Sequence, residues 1–130
     1  MAHILVADDD RDIRELITFT LMFVGHKVTQ ATNGEEAVAL AQQIKPDLIL
    51  TDVRMPKMTG YQLCQALRAM DEFKNTPIIV LSAKGQDEEI EMSLTSGATD
   101  HMMKPFPPNV LQQRVAELLA QHGTANDRKS

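Results

Sequence analysis

Asp47-Leu-Ile-Leu-Thr-Asp-Val-Arg-Met-Pro-Lys-Met-Thr-Gly60 is the stretch from which the fold can be read. Leu48, Ile49, Leu50 and Thr51 run without polar alternation, the pattern of a strand in a sheet covered on both faces. The run stops at a carboxylate, Asp52, and Pro56 and Gly60 then carry the chain away through a loop. Asp52 therefore falls at the carboxyl end of a strand, the edge at which open α/β sheets bind their ligands.

The same arrangement recurs on either side. Upstream, residues 3–7 make a short apolar strand that ends in Asp8-Asp9-Asp10, and Ile13, Leu16, Ile17, Leu21 and Val24 follow at helical spacing until Gly25 closes the helix. Residues 28–31 read as a weaker strand. Asn33 with Glu36 forms a capping-box pattern before a helix faced by Ala37, Leu40, Ala41 and Ile44, which Pro46 ends. Downstream, Thr59 with Gln62 opens a helix faced by Leu63, Cys64, Leu67 and Met70. Residues 77–81 are β-branched and apolar, a strong strand that meets Ser82. An acidic helix with a thin apolar stripe of Ile90, Met92 and Leu94 is predicted over residues 86–96. A short strand over 101–103 leads into Lys104-Pro105-Phe106, and Val110, Leu111, Val115, Leu118 and Leu119 mark a last helix.

Five strands alternating with five helices predict an α/β fold with a doubly wound parallel sheet and right-handed crossovers. The common five-strand order, 2-1-3-4-5, sets the first and third strands side by side, so Asp8, Asp9 and Asp52 should share one crevice. Residues 1–122 are expected to form one domain, with 123–130 as a polar tail or linker stub.

Bulk properties narrow the functional classes. At 130 residues the chain can bury roughly two-thirds of its unfolded surface in one core. Its hydrophobic fraction of 43% and charged fraction of 24% are those of a globular protein. No apolar run approaches the ~20 residues of a spanning helix, and the first residues are unlike a signal peptide, so a cytoplasmic protein without a membrane role is expected. A formal net charge of -5 argues against direct nucleic-acid binding, which Lys and Arg drive. The single cysteine, Cys64, lies on an apolar helix face and is expected to be buried and inert.

Three carboxylates at close range repel one another, and a divalent cation removes the conflict. All-oxygen ligands point to Mg²⁺, or Mn²⁺, which retains waters and recruits phosphate oxygens. Asp52 could then attack phosphorus as a carboxylate nucleophile, with Ser82 donating to one transferred oxygen and Lys104 placing a charge on another. Lys104 precedes a proline, which allows a cis bond.

Ile-Leu-Val-Ala-Asp-Asp-Asp, Leu-Thr-Asp-Val-Arg-Met-Pro-Lys-Met-Thr-Gly, Ile-Val-Leu-Ser-Ala and Lys-Pro-Phe, in that order, resemble the receiver domain of two-component response regulators over about residues 2–120. The resemblance implies a flavodoxin-like fold and a phospho-accepting switch with Asp52 as the phosphorylated residue. It further implies Asp9, Asp52 and the backbone carbonyl of Arg54 as direct metal ligands, and Asp8 acting through water. Ser82 and Lys104 match the family's hydroxyl and lysine, whereas Asp10 matches no role and should be solvated. Arg54 and Lys84 match positions that tune loss of the phosphoryl group.

Implied partners are a sensor histidine kinase or phosphotransfer domain as donor and a downstream effector protein or domain as target. The effector would read the face made by the fourth predicted helix, the fifth strand and the fifth helix. A homodimer formed on phosphorylation is compatible with this. The sequence departs from the family at His101, where Tyr or Phe is usual. Expected at the start of the last strand and far from the acids, His101 reads as a partner-facing or solvated switch position and not as a metal ligand. Two other functions compete. A phosphatase of the haloacid dehalogenase type would place its nucleophile in Asp8-x-Asp10, and a receiver-like module would bind partners without phosphorylation.

Overall fold

The computed structural model describes residues 2–83 and 96–121. Strands β1 (His3–Ala7), β2 (Lys27–Ala31), β3 (Leu48–Asp52), β4 (Ile78–Ala83) and β5 (Asp100–Lys104) form a sheet in the order β2-β1-β3-β4-β5, each neighbouring pair parallel. Helices α1 (Arg11–Phe23), α2 (Gly34–Ile44), α3 (Gly60–Arg68) and a C-terminal helix (Pro108–Gln121) connect or flank them. The expected sheet and its order are therefore present. Lys84, all of the helix expected over 86–96 except Ser96, and the tail over 123–130 lie outside the described residues.

Period-two alternation sends successive strand residues to opposite faces, and both faces are covered. Ile4, Val6, Leu48, Leu50, Ile79 and Leu81 pack against Ile17 and Leu21 of α1 and Leu111, Val115 and Leu118 of the C-terminal helix. Leu5, Ala7, Ile49, Ile78 and Val80 face Ala37 and Ala41 of α2 and Leu63, Cys64 and Leu67 of α3. Each Leu or Ile so buried contributes about 1.5–3 kcal/mol from removal of apolar surface from water. Cys64 is buried as expected, and burial pushes its thiol up to about 11, which leaves it protonated and unreactive.

Local signals are realised with informative exceptions. The Thr59 and Gln62 pair forms a complete capping box: the Thr59 hydroxyl accepts from the Gln62 N–H at 3.2 Å, and the Gln62 side chain accepts from the Thr59 N–H at 2.9 Å. Asn33 likewise accepts from the Glu36 N–H at 2.8 Å. Glu36, however, does not return to Asn33. Its carboxylate takes the N–H and the hydroxyl of Thr32, two donors at one residue, and these bonds hold its pKa below the usual carboxylate value. Gly25 closes α1 with φ 97, a left-handed conformation that glycine adopts without steric cost.

Three residues assigned to apolar faces are exposed: Leu16, Val24 and Val110. Leu16 sits at the edge of the α1 stripe, beside a shallow cleft. Val24 follows the last helical residue, Phe23, so helical spacing no longer sets its direction. Val110 lies in the open first turn of the C-terminal helix. Among the described residues no helix is long and apolar enough to cross a membrane.

Arg68, at the end of α3, ties together segments distant in sequence. Its guanidinium donates to the carbonyls of Phe73 at 2.6 Å, Thr76 at 2.7 Å and Gly97 at 2.9 Å, and to the Thr99 hydroxyl at 3.2 Å. Thr99 in turn accepts from the Ile78 N–H at 3.0 Å, so the entries to β4 and β5 are set by one planar fork. Arg68→Ala leaves several partly buried carbonyls without a donor and should cost about 2–4 kcal/mol in urea unfolding. Arg68→Lys, a point charge without the fork, should recover less than half of that loss.

Candidate functional site

Parallel pairing of β1 with β3 sets Ala7 opposite Thr51, so the residues that follow, Asp8 and Asp52, emerge side by side at the carboxyl edge of the sheet. One carboxylate oxygen from each of Asp8, Asp9 and Asp52 lies within 4.8 Å of the others. Asp8 is fully buried, Asp52 partly buried and Asp9 exposed, so the cluster opens to solvent on one side.

Lys104, the last residue of β5, reaches into this cluster. Its ammonium donates to Asp52 Oδ1 at 3.0 Å and to Asp8 Oδ2 at 3.2 Å. The stem borders the shallow apolar cleft of about 140 Å³ formed by Ile13, Leu16, Pro105 and Phe106, while the charged head turns to the acids. The Lys104–Pro105 peptide is cis.

Burial raises the pKa of Asp52; the hydrogen bond from Lys104 opposes the rise and the charge of Asp8 adds to it. Burial by itself would pull Lys104 down, but the hydrogen bond and charge of Asp52, with Asp8 behind them, carry it above its ordinary value of 10.5. The ammonium is the stabilised form, and the Asp52 carboxylate remains under strain from its surroundings.

The backbone holds Asp52 firmly. The Gly60 N–H donates to the Val53 carbonyl at 2.9 Å and closes the loop after β3. A Cβ at Gly60 would lie 2.3 Å from the Asp52 carbonyl oxygen, so only glycine permits this approach. On the β1 side, Asp8 Oδ1 accepts from the Asp10 N–H at 2.9 Å, and the Asp8 carbonyl accepts from Arg14 at 2.9 Å.

Asp10, expected to be solvated, is exposed but has a structural task. Its carboxylate caps α1 by accepting from the N–H groups of Asp12 at 3.0 Å and Ile13 at 3.3 Å. That use removes the second acid of the Asp8-x-Asp10 pair from the pocket, and with it the geometry a haloacid dehalogenase-type site would need. Arg54 is exposed on the loop two residues after Asp52, and Lys84 is outside the described residues.

His101 requires a larger correction. β5 starts one residue earlier than expected, and its register with β4 sets His101 opposite Val80 and Met103 opposite Ser82. The imidazole is partly buried, and its Nε2 lies 2.7 Å from the Ser82 hydroxyl oxygen. Ser82 itself is almost wholly buried. His101 is thus bonded to a predicted site residue and is not a merely solvated side chain, because the pleat turns residues 82 and 101 to the same face. Spacing along one strand does not reveal such a diagonal contact; the β4–β5 register does.

The donor set fits a hard divalent cation. Its ligands are all oxygen, they carry more negative charge than one ammonium balances, and exposed Asp9 leaves room for water.

The family model for the response regulator receiver domain matches residues 4–116. The chain belongs to this family and is a receiver domain of two-component signalling. It is 39% identical over 119 residues to the DNA-binding dual master transcriptional regulator RpaA of Synechocystis, covering 92% of this chain and 49% of that protein. The chain thus spans about half the length of such curated relatives. Among solved structures, the chemotaxis response regulator CheY4 of Vibrio cholerae superposes with a TM-score of 0.86 at 36% identity, covering 91% of this chain and 98% of that one. The receiver domain of the sensor histidine kinase PA1611 of Pseudomonas aeruginosa, with a magnesium ion in its active site cleft, superposes with a TM-score of 0.86 at 30% identity. That match covers 92% of this chain and 98% of that domain.

Lys104→Met leaves the acids facing one another and should destabilise the metal-free protein by about 1.5–3 kcal/mol at pH 7, measured by urea unfolding. Because the folded pKa of Lys104 is raised, its contribution is complete below 10.5 and disappears as pH rises through the folded value. At the acid end the difference between Lys104→Met and wild type should shrink as Asp52 takes up a proton, which its raised pKa brings nearer to neutrality. Millimolar Mg²⁺ should restore most of the loss at pH 7.

Proposed function

We propose that Asp52 accepts a phosphoryl group from the phosphohistidine of a sensor histidine kinase or phosphotransfer domain, and that the product alters binding to a downstream effector protein or domain. The observation that carries this reading is the convergence of Asp8, Asp9 and Asp52 with the Lys104 ammonium at one edge of the sheet. An Asp52 carboxylate oxygen attacks phosphorus, the bond from phosphorus to the donor nitrogen breaks, and the electron pair leaves with the donor imidazole, which takes a proton. Lys104 holds charge on a transferred oxygen, and the Ser82 hydroxyl donates to another. Asp9, Asp52 and the Arg54 carbonyl would hold Mg²⁺ or Mn²⁺ directly, with Asp8 acting through water. That ion supplies charge neutralisation between carboxylates and phosphoryl oxygens. Arg54 and Lys84, two residues past Asp52 and Ser82 in sequence, tune the lifetime of the phosphoryl group.

The effector reads β5 and the C-terminal helix together with the fourth predicted helix, and a second copy of the phosphorylated chain is one partner for that face. Residues 1–122 act as the receiver unit and 123–130 as tail or linker. The domain acts in the cytoplasm, catalyses only its own phosphorylation and dephosphorylation, and binds neither membrane nor nucleic acid directly. Relatives about twice its length are transcriptional regulators, which supports an output module as the effector in such proteins.

Incubation with acetyl phosphate and Mg²⁺ should add one phosphoryl group per chain by intact mass. Asp52→Asn should abolish the addition, and chelation of the metal should reduce it at least tenfold. Labelling retained in Asp52→Asn would overturn the assignment. Repeated turnover of phosphoesters would favour a phosphatase, and no labelling of wild type would favour a module that works unphosphorylated.

A further inference from the structure

Resting on the phosphorylation reading, we infer that His101 is a positioning residue for Ser82, and that its imidazole and a phosphoryl group on Asp52 compete for the single Ser82 hydroxyl proton. Ser82 Oγ and His101 Nε2 are 2.7 Å apart, at the short end of hydrogen-bond lengths, and Ser82 is almost wholly buried. A serine hydroxyl has one proton to donate and lone pairs to accept with. The neutral imidazole has two forms, and each bonds Ser82 differently. With the ring proton on Nδ1, Nε2 accepts and the Ser82 proton is engaged by His101. Ser82 then offers only lone pairs to a phosphoryl oxygen, which repel it. With the proton on Nε2, His101 donates to Ser82 and the hydroxyl proton is free for the anion.

The β4–β5 register keeps the two side chains on one face of the sheet, so the bond is part of the folded arrangement. Asp52 lies on the neighbouring strand opposite Leu81, the residue before Ser82, so Ser82 stands at the same carboxyl edge of the sheet as the acid cluster while bonded to His101. Phosphorylation therefore selects the Nε2–H form of His101. A phenyl or phenol ring in place of the imidazole has no nitrogen to hold Ser82 in this way.

The full chain, uniformly labelled with ¹⁵N so that both the histidine rings and the backbone amides are seen, provides a test that needs no variant. Beryllofluoride with Mg²⁺ serves as the phosphoryl analogue. The expected result is that the His101 Nε2 resonance moves from an acceptor-type to a protonated-type shift as the Asp52 amide signal reports binding. His101→Phe should speed acetyl phosphate labelling about 2- to 10-fold, the worth of one net hydrogen bond, and the gain should vanish in the Ser82→Ala background. An unmoved Nε2 signal despite binding at Asp52, or an equal gain when His101→Phe is combined with Ser82→Ala, would overturn the proposal while leaving Asp52 phosphorylation intact. Absence of both beryllofluoride binding and acetyl phosphate labelling would overturn the phosphorylation reading, and this inference with it.

Discussion

Carboxylates gathered within 4.8 Å need positive charge among them, and this balance of charge organises the carboxyl edge of the sheet. Lys104 supplies part of it from the far end of the chain, bridging Asp8 and Asp52 across sequence separations of 96 and 52 residues. One ammonium against three acids leaves an excess of negative charge, and Asp52 has its pKa raised, first by burial and then by the charge of Asp8, against the pull of Lys104. A group that is buried, crowded by a like charge and only partly neutralised responds strongly to an added cation. The apolar faces make this possible, because the strands are fixed well enough by their buried residues to hold uncomfortable charges at their tips.

Much of this could be read directly from residue order. The unbroken run Leu48 to Thr51 could be satisfied only by a sheet covered on both faces, and its stop at a carboxylate placed Asp52 at the binding edge. The same logic located Asp8, Ser82 and Lys104. Strict alternation implied a parallel sheet, and the common five-strand order supplied the β1–β3 neighbour relation that brings Asp8 to Asp52. Thr59 with Gln62 gave a cap that the structure realises in full.

What residue order did not reveal depends on choices among competing partners. Asp10 is acidic and exposed, which fits a solvated side chain, but the first turn of α1 needs an acceptor and Asp10 is the residue in reach. Glu36 had two plausible backbone donors and took the residue that also offered a hydroxyl. Arg68 gives no motif at all, since its acceptors are carbonyls brought together only by the finished fold. His101 belongs to the same class: its partner is set by the pairing register between two strands, and the start of β5 lies one residue earlier than its apolar pattern indicates.

The β4–β5 register also governs how a local event could travel. Asp52 and Lys104 continue the alternation of Leu50 and Met102, so they belong to the face covered by α1 and the C-terminal helix. His101 sits opposite Val80, and Ser82 follows Val80 by two residues, so both belong to the face covered by α2 and α3. A change in charge on Asp52 must therefore cross the sheet edge to alter the second face. Ser82 is suited to that crossing, being small, buried and already bonded to His101 on that face. In receivers with an aromatic ring at this position the crossing would rely on packing, which responds to volume. Here the residue on the second face is held to Ser82 by a hydrogen bond, and a hydrogen bond responds to which atom carries the proton.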